Sequence, residues 1–252
     1  MEPKFITNEP ALMLGKTLVV ADLHIGIDYE YWKSGIKILP YLQKILPEIE
    51  KLIRENKAKK LMILGDVRHR IPGASWQEVK ELPDFFRYFL KLVDIEICPG
   101  NHDGQIEENV LSGVKVHPRS GTLTGDVYYM HGHTWPARDF LKAKYLVMGH
   151  VHPGIEFKSE LGYRWVESVW LQAELDPEKI KEKYDYEGPL PEVIVVPKFN
   201  YYTGAIAMNK PLSEVEKSYT DSPGPVMKSI KLAEAKVYLL DGTYIGRVGN
   251  LA

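Results

Sequence analysis

The stretch Leu18-Val19-Val20-Ala21-Asp22-Leu23-His24 joins a short apolar run to two side chains that bind metals, and the same arrangement returns four times. The later examples occupy residues 61–66, 95–103, 127–133 and 145–152. Short runs of β-branched and aromatic residues bounded by Gly or Pro are typical of buried strands. The sequence therefore predicts five strands, each followed by a loop that carries metal-binding residue types.

Amphipathic spacing predicts two crossover helices between the first strands, at residues 39–54 and 76–92, the second interrupted or kinked near Pro83. The later text is strand-rich and predicts a second sheet packed on the first, which gives an α/β four-layer α-β-β-α sandwich of two mixed sheets. Hairpins are predicted at both ends, the last with an Asp241-Gly242 turn.

The length of 252 residues fits a single domain spanning 1–252. Two polar, proline-bearing stretches, at 176–191 and 209–231, are predicted to be long excursions from it.

The polar residues after the strands predict one shared metal site, because loops at the carboxyl ends of strands gather at one edge of a sheet. A set of Asp, Asn and His without Cys favours hard or borderline divalent ions. The number of candidate ligands exceeds what one zinc ion binds and suits two ions, with Asp66 as the bridging carboxylate. The candidates are Asp22, His24, Asp66, Asn101, His131, His150 and His152.

The ordered motifs D-x-H, G-D, G-N-H-D, H-G-H and G-H-x-H resemble the calcineurin-like metallophosphoesterase superfamily. The resemblance implies that Asp22, His24 and His152 bind a first metal, that Asn101, His131 and His150 bind a second, and that Asp66 bridges them. It also implies that His102 is a catalytic histidine outside the ligand set. This residue would bind the phosphate and protonate the leaving oxygen, with Asp103 orienting its ring. A turn or capping role for Asp103 is an open alternative.

The function expected from this resemblance is that of a dinuclear phosphoesterase in which metal-activated hydroxide attacks phosphorus. We expect a phosphodiesterase acting on nucleotides or single-stranded nucleic acid. A phosphomonoesterase and a catalytically inactive scaffold for protein interaction are the alternatives. Mn²⁺ is the favoured metal by analogy with repair nucleases, and Mg²⁺, Fe²⁺, Zn²⁺ and Ni²⁺ are alternatives.

Finer features resemble one branch of the superfamily. Residues 21–26, together with 196–200 and Gly204, are similar to mainly archaeal phosphoesterases related to DNA-repair nucleases and to a ligase-associated nuclease. Residues 65–70 lack the G-D-x-V-D-R-G continuation of phosphoprotein phosphatases, and Asp103 stands where those enzymes usually have Glu. Protein phosphatase activity is therefore disfavoured.

Four residues are candidates for substrate binding. Arg68 and His69 lie in a basic patch that could grip a phosphate, although ordinary surface charge explains it equally well. His133 is either a substrate contact or a solvated loop histidine. Tyr201 could stack a nucleobase, although packing between sheet and loop is the stronger interpretation.

Composition limits the remaining possibilities. The net charge of -2 provides no overall basic field for long nucleic acid, so local patches would have to supply one. A single cysteine, Cys98, excludes an internal disulfide and fits a reducing compartment. With no signal peptide pattern and no apolar run of membrane-spanning length, we expect a cytoplasmic protein without membrane association. The sequence leaves the oligomeric state open.

Overall fold

The first of two mixed sheets holds the strands that precede three of the motifs. The computed structural model describes residues 1–70, 73, 75–211, 214 and 223–251. An antiparallel hairpin at the start of the chain leads into a series of four parallel strands. In spatial order the strands are β1 (Pro3–Phe5), β2 (Leu12–Leu14), β3 (Thr17–Val20), β4 (Lys60–Ile63), β5 (Asp94–Ile97) and β6 (Val114–Val116).

The second sheet contains the strands of the last two motifs. Its order is β13-β10-β11-β12-β9-β8-β7, and β14 pairs with β11 and β15. The central strands β8, β9 and β12 run parallel. The strands are β7 (Thr122–Thr124), β8 (Val127–Met130), β9 (Tyr145–Met148), β10 (Pro153–Lys158), β11 (Arg164–Glu174), β12 (Glu192–Val195), β13 (Ile206–Ala207), β14 (Lys236–Leu239) and β15 (Tyr244–Arg247).

Helices cover the outer faces of the sheets. Both crossover helices are confirmed, as α2 (Tyr41–Glu55) and α3 (Trp76–Phe89), and α3 continues through Pro83. A capping box between Ser75 and Glu78 starts α3 by satisfying two free N–H groups. The described helices are α1 (Ile27–Lys33), α2 (Tyr41–Glu55), α3 (Trp76–Phe89), α4 (Pro177–Tyr184) and α5 (Gly224–Lys228).

Alternation along the strands builds the four layers. In β4, Leu61 and Ile63 pack in the core shared with α2 and α3, whereas Met62 lies in the core between the sheets. In β9, Val147 faces this middle core and Leu146 packs on the α4 side. Successive side chains of a strand point to opposite faces, so each sheet is buried on both of its faces. The predicted α-β-β-α sandwich is confirmed.

Residues 176–191, predicted to be a long excursion, contain α4. Asp176 caps the helix by accepting a hydrogen bond from the Glu178 N–H, and Ile180 and Tyr184 are buried. Much of the predicted excursion at 209–231 lies outside the described residues, and its described end contains α5. That the chain forms one domain stays a prediction. No helix in the described ranges is both long and apolar enough to cross a membrane.

Candidate metal centre

Left-handed backbone turns aim the side chains at the strand ends. Five of the seven candidate ligands have positive φ angles, a conformation that costs an L-residue about 1–2 kcal/mol and is tolerated best by Asn, Asp and His. A sharp turn directly after each strand lets several loops converge. The residues are Asp22 (φ 56°), His24 (46°), Asp66 (48°), His150 (74°) and His152 (44°).

Glycines in the motifs make room for these turns. A Cβ on Gly100 would lie 2.1 Å from Oδ1 of Asp66, and one on Gly65 would lie 2.5 Å from Nδ1 of His131. Gly65 also has a φ of +73°, which a side chain would strain. The glycine in each of these motifs is therefore required by the crowding of the ligands themselves.

One group of ligand atoms contains Asp22, His24 and His152, whose atoms all lie within 4.8 Å of one another. Nε2 of His24 is 3.3 Å from Nε2 of His152, which is 3.7 Å from Oδ1 of Asp22. Asp22 is fully buried and also accepts the backbone N–H of His150, which ties two loops together.

A neighbouring group contains Asp66, His131 and His150. Nε2 of His131 lies 3.1 Å from Nδ1 of His150, 3.1 Å from Oδ1 of Asn101 and 3.4 Å from Oδ1 of Asp66. The other carboxylate oxygen of Asp66, Oδ2, lies 3.7 Å from Nε2 of His24 in the first group. Asp66 therefore faces both groups, one oxygen to each.

The donor set fits divalent metal ions. Two nitrogens bound at about 2.1 Å to one ion lie about 3.0–3.4 Å apart in octahedral or tetrahedral geometry, close to the observed separations. Burial, and then neighbouring histidines, hold the pKa values of His24 and His131 well below their usual range. Their rings are therefore neutral at pH 7, with a lone pair free to bind a metal.

Backbone carbonyls set the tautomers of two candidate ligands. Nδ1 of His131 is 2.8 Å from the Leu64 carbonyl oxygen, and Nδ1 of His152 is 3.3 Å from that of Gly204. An Nδ1–H that donates to each carbonyl leaves Nε2 as the acceptor directed into the groups.

His102 stands beside the groups, but its ring is not held as predicted. Its Nε2 lies 3.9 Å from Oδ2 of Asp66, and its Nδ1 bonds to the His69 carbonyl oxygen. Asp103 is instead fully buried, and its carboxylate accepts the backbone N–H groups of Gly100, Val67 and Arg68. Asp103 therefore holds the two loops together, which is the turn role considered as the alternative.

Arg68 is buried. Its guanidinium donates to the carbonyl oxygens of His102 and Gly104, which favours a structural role, and phosphate binding by Arg68 stays a prediction. Its neighbour His69 does border the site, because its Nδ1 lies 3.5 Å from Nδ1 of His24. Sequence could not separate these two residues, since both simply follow the Asp66 turn.

His133 and Tyr201 occupy different surroundings. The His133 ring centroid lies 5.3 Å from that of His131, so this residue borders the second group. Tyr201 packs against Tyr41 and Tyr202 and lies under the ammonium of Lys44, 3.9 Å from its ring centroid. These contacts correspond to the packing role, and nucleobase stacking by Tyr201 stays a prediction.

Asn200 and Lys198, which were not predicted from the sequence, support the first group although they lie far from it along the chain. The buried Asn200 amide donates to the carbonyl oxygens of Leu23 and His24 and accepts the N–H groups of Tyr202 and Thr203. Lys198 donates to the Asn200 carbonyl, and burial lowers the pKa of this lysine to about 8. The sequence Lys-Phe-Asn at residues 198–200 contains no metal-ligand pattern that would have predicted this supporting role.

Comparisons with known proteins identify the family and the fold of this chain. Residues 15–167 match the family model described as calcineurin-like phosphoesterase. The crystal structure of Pseudomonas putida nuclease MPE aligns with 97% of this chain and 100% of its own at a TM-score of 0.59 and 17% identity, which shows a shared fold. Yfce, a phosphoesterase from E. coli, aligns with 57% of this chain and 73% of its own at a TM-score of 0.36 and 21% identity. No curated protein matches the sequence.

Proposed function

This chain belongs to the calcineurin-like phosphoesterase family, and we propose that it is a two-metal phosphodiesterase acting on nucleotides or nucleic acid. Membership of the family makes it a metal-dependent hydrolase. The two-metal proposal rests on Asp66, whose Oδ1 faces His131 and whose Oδ2 faces His24. A carboxylate placed between two groups of imidazoles has the arrangement that a bridging ligand requires.

The ligand assignment follows the two groups. Asp22, His24 and His152 would hold one ion, and His131, His150 and Asn101 would hold the other, with Asp66 shared. Two divalent ions held there lower the pKa of water and stabilise the charged oxygens of the phosphate in the transition state. Nitrogen and oxygen donors without thiolate suit Mn²⁺, which we propose as the working metal.

His102 supplies the proton for the leaving oxygen. An Nδ1–H bond to the His69 carbonyl leaves Nε2 facing the site, beside Asp66. A protonated Nε2 donates to the departing alkoxide and becomes neutral. Asp103 fixes the loop that carries His102 instead of contacting its ring, so it acts as a positioning residue.

The test compares Mn²⁺-dependent hydrolysis of bis-p-nitrophenyl phosphate with that of p-nitrophenyl phosphate, using wild type and His102→Ala. We expect faster cleavage of the diester by wild type and complete dependence on added metal. The variant should lose only part of this activity, because nitrophenolate leaves without a proton. Faster cleavage of the monoester would overturn the diester preference. Bound metals with no turnover of any phosphate ester, nucleotides included, would argue for the scaffold alternative.

A further inference from the structure

A cleft of about 910 Å³ lies beside the second ligand group, between α4 and α5. We call it the α4 cleft. It is lined by His133, Thr134, Trp135, Lys179, Glu182, Lys183, Pro225, Lys228 and Ser229.

His133 joins the α4 cleft to the candidate metal centre. Its ring centroid lies 5.3 Å from that of His131 and 6.1 Å from that of His150. Nδ1 of His133 is buried and has no hydrogen-bond partner among the described residues. The cleft therefore begins at the metal centre with a polar group that can bond to a bound ligand.

The wall of the α4 cleft is basic. Three lysines line it against one acidic residue, Glu182, and no carboxylate among the described residues forms an ion pair with any of the three. The Lys183 ammonium lies over the Trp135 ring, 5.2 Å from its centroid, and Lys179 donates to the Lys228 carbonyl at 2.6 Å. These contacts order two ammonium groups without neutralising them.

The opposite side of α4 differs. Lys181 belongs to the same helix but pairs with Glu187 at 2.5 Å and lines a separate cavity. Uncompensated positive charge on α4 is thus confined to the side that leads to His133. A chain with a net charge of -2 would need such a local patch to hold a polyanion.

We propose that the α4 cleft binds the phosphate groups of a single-stranded nucleic acid next to the bond being cleaved. This inference rests on the proposed function and narrows its substrate class from phosphodiesters in general to polynucleotide strands. The strand would pass His133 and place successive phosphates near Lys183 and Lys179. A small diester would occupy only the metal centre and would make no contact with the lysines of the α4 cleft.

The test measures the double variant Lys179→Gln/Lys183→Gln against the matched control Lys181→Gln on the same helix. The substrates are a single-stranded thymidine oligonucleotide and bis-p-nitrophenyl phosphate, both with Mn²⁺. We expect the KM for the oligonucleotide to rise roughly tenfold in the double variant at about 0.1 M salt. Turnover of the small diester should stay within about twofold of wild type, and Lys181→Gln should behave as wild type.

Binding provides a second measurement that needs no turnover. Fluorescence anisotropy of the labelled oligonucleotide in EDTA should give weaker binding for the double variant. The slope of log Kd against log salt should fall by about 0.7 for each lysine–phosphate ion pair that the substitutions remove. Unchanged KM and Kd in the double variant, or equal losses in Lys181→Gln, would overturn the inference. If wild type binds the strand through these lysines but cleaves neither substrate, the α4 cleft stands and the proposed function fails.

Discussion

The two ligand groups present similar atoms but rest on different supports. The group of Asp66, His131 and His150 is fixed close to strand ends, because His131 bonds to the carbonyl of Leu64, one residue beyond β4. The group of Asp22, His24 and His152 depends on a loop much later in the chain, through the carbonyl of Gly204 and the amide of Asn200. Two similar ligand sets can therefore be held by different parts of the chain, one by residues beside the strand ends and the other by a distant loop.

Removing the Asp66 carboxylate should weaken metal binding by both ligand groups. We expect Asp66→Ala to lower kcat/KM for bis-p-nitrophenyl phosphate by about 10³-fold or more, because both ions lose a ligand and with it transition-state stabilisation. Elemental analysis should show less than one metal per chain. Asp94→Ala, at an exposed position of β5, is the control. Retention of two metals by Asp66→Ala would disprove the bridging assignment.

His102 should separate catalysis from metal binding. His102→Ala should reduce cleavage of a diester with an alkoxide leaving group by about 10²-fold, because general acid catalysis is lost. The loss should be smaller with nitrophenolate, which leaves without a proton. Metal content should not change in either group. A variant that loses metal would show that His102 is a ligand, and a third group that it forms with His24 and His69 would then need to be included.

Asn200→Ala should affect the two groups unequally. Loss of its bonds to the Leu23 and His24 carbonyls frees the loop of the first group, and supporting residues of this kind typically change metal affinity by about 10–100-fold. Titration calorimetry should show one weakened site and one unchanged site. Asn209→Ala, which also removes side-chain bonds to backbone carbonyls, is the control. Equal weakening of both sites would remove the distinction between the supports.

Acid should destabilise the metal-free protein through both groups. The folded-state pKa values of His24 and His131 are held below 6.5, so the unfolded chain binds more protons than the folded one as the pH falls through 6.5. The free energy of unfolding should then fall by up to about 1.4 kcal/mol per pH unit for each histidine. Urea denaturation in EDTA between about pH 7.5 and 5.5 measures this slope.

Replacing His24 or His131 shows how much each ligand group contributes to the pH dependence of the free energy of unfolding. His24→Gln and His131→Gln should each reduce it by a similar amount, because both rings are almost fully buried. If the free energy of unfolding of wild type does not change with pH, these rings accept protons in the folded state as readily as in the unfolded chain.

The sequence predicted the fold well where local patterns carry the information. The strands before the motifs and both crossover helices follow from apolar periodicity, and the convergence of the loops follows from the parallel arrangement of β3, β4 and β5. Helix α4 was missed because only Ile180 and Tyr184 of its eight residues are buried, which is too little periodicity against a charged background.

Site residues without a ligand pattern could not be predicted. The burial of Arg68 and the bonds of Asp103 depend on two loops that meet only in three dimensions. The role of Asn200 depends on a contact across more than 170 residues. The metal identity, the archaeal origin and the cytoplasmic location stay predictions.

The bond between His152 and the Gly204 carbonyl also has a consequence for protein synthesis. The two residues are 52 positions apart, and a ribosome adds about 5–20 residues per second. For about 3–10 s, a nascent chain therefore carries every candidate ligand but not the loop that orders the first group. The first group is therefore ordered only after the sheet strands that precede the candidate ligands have been made.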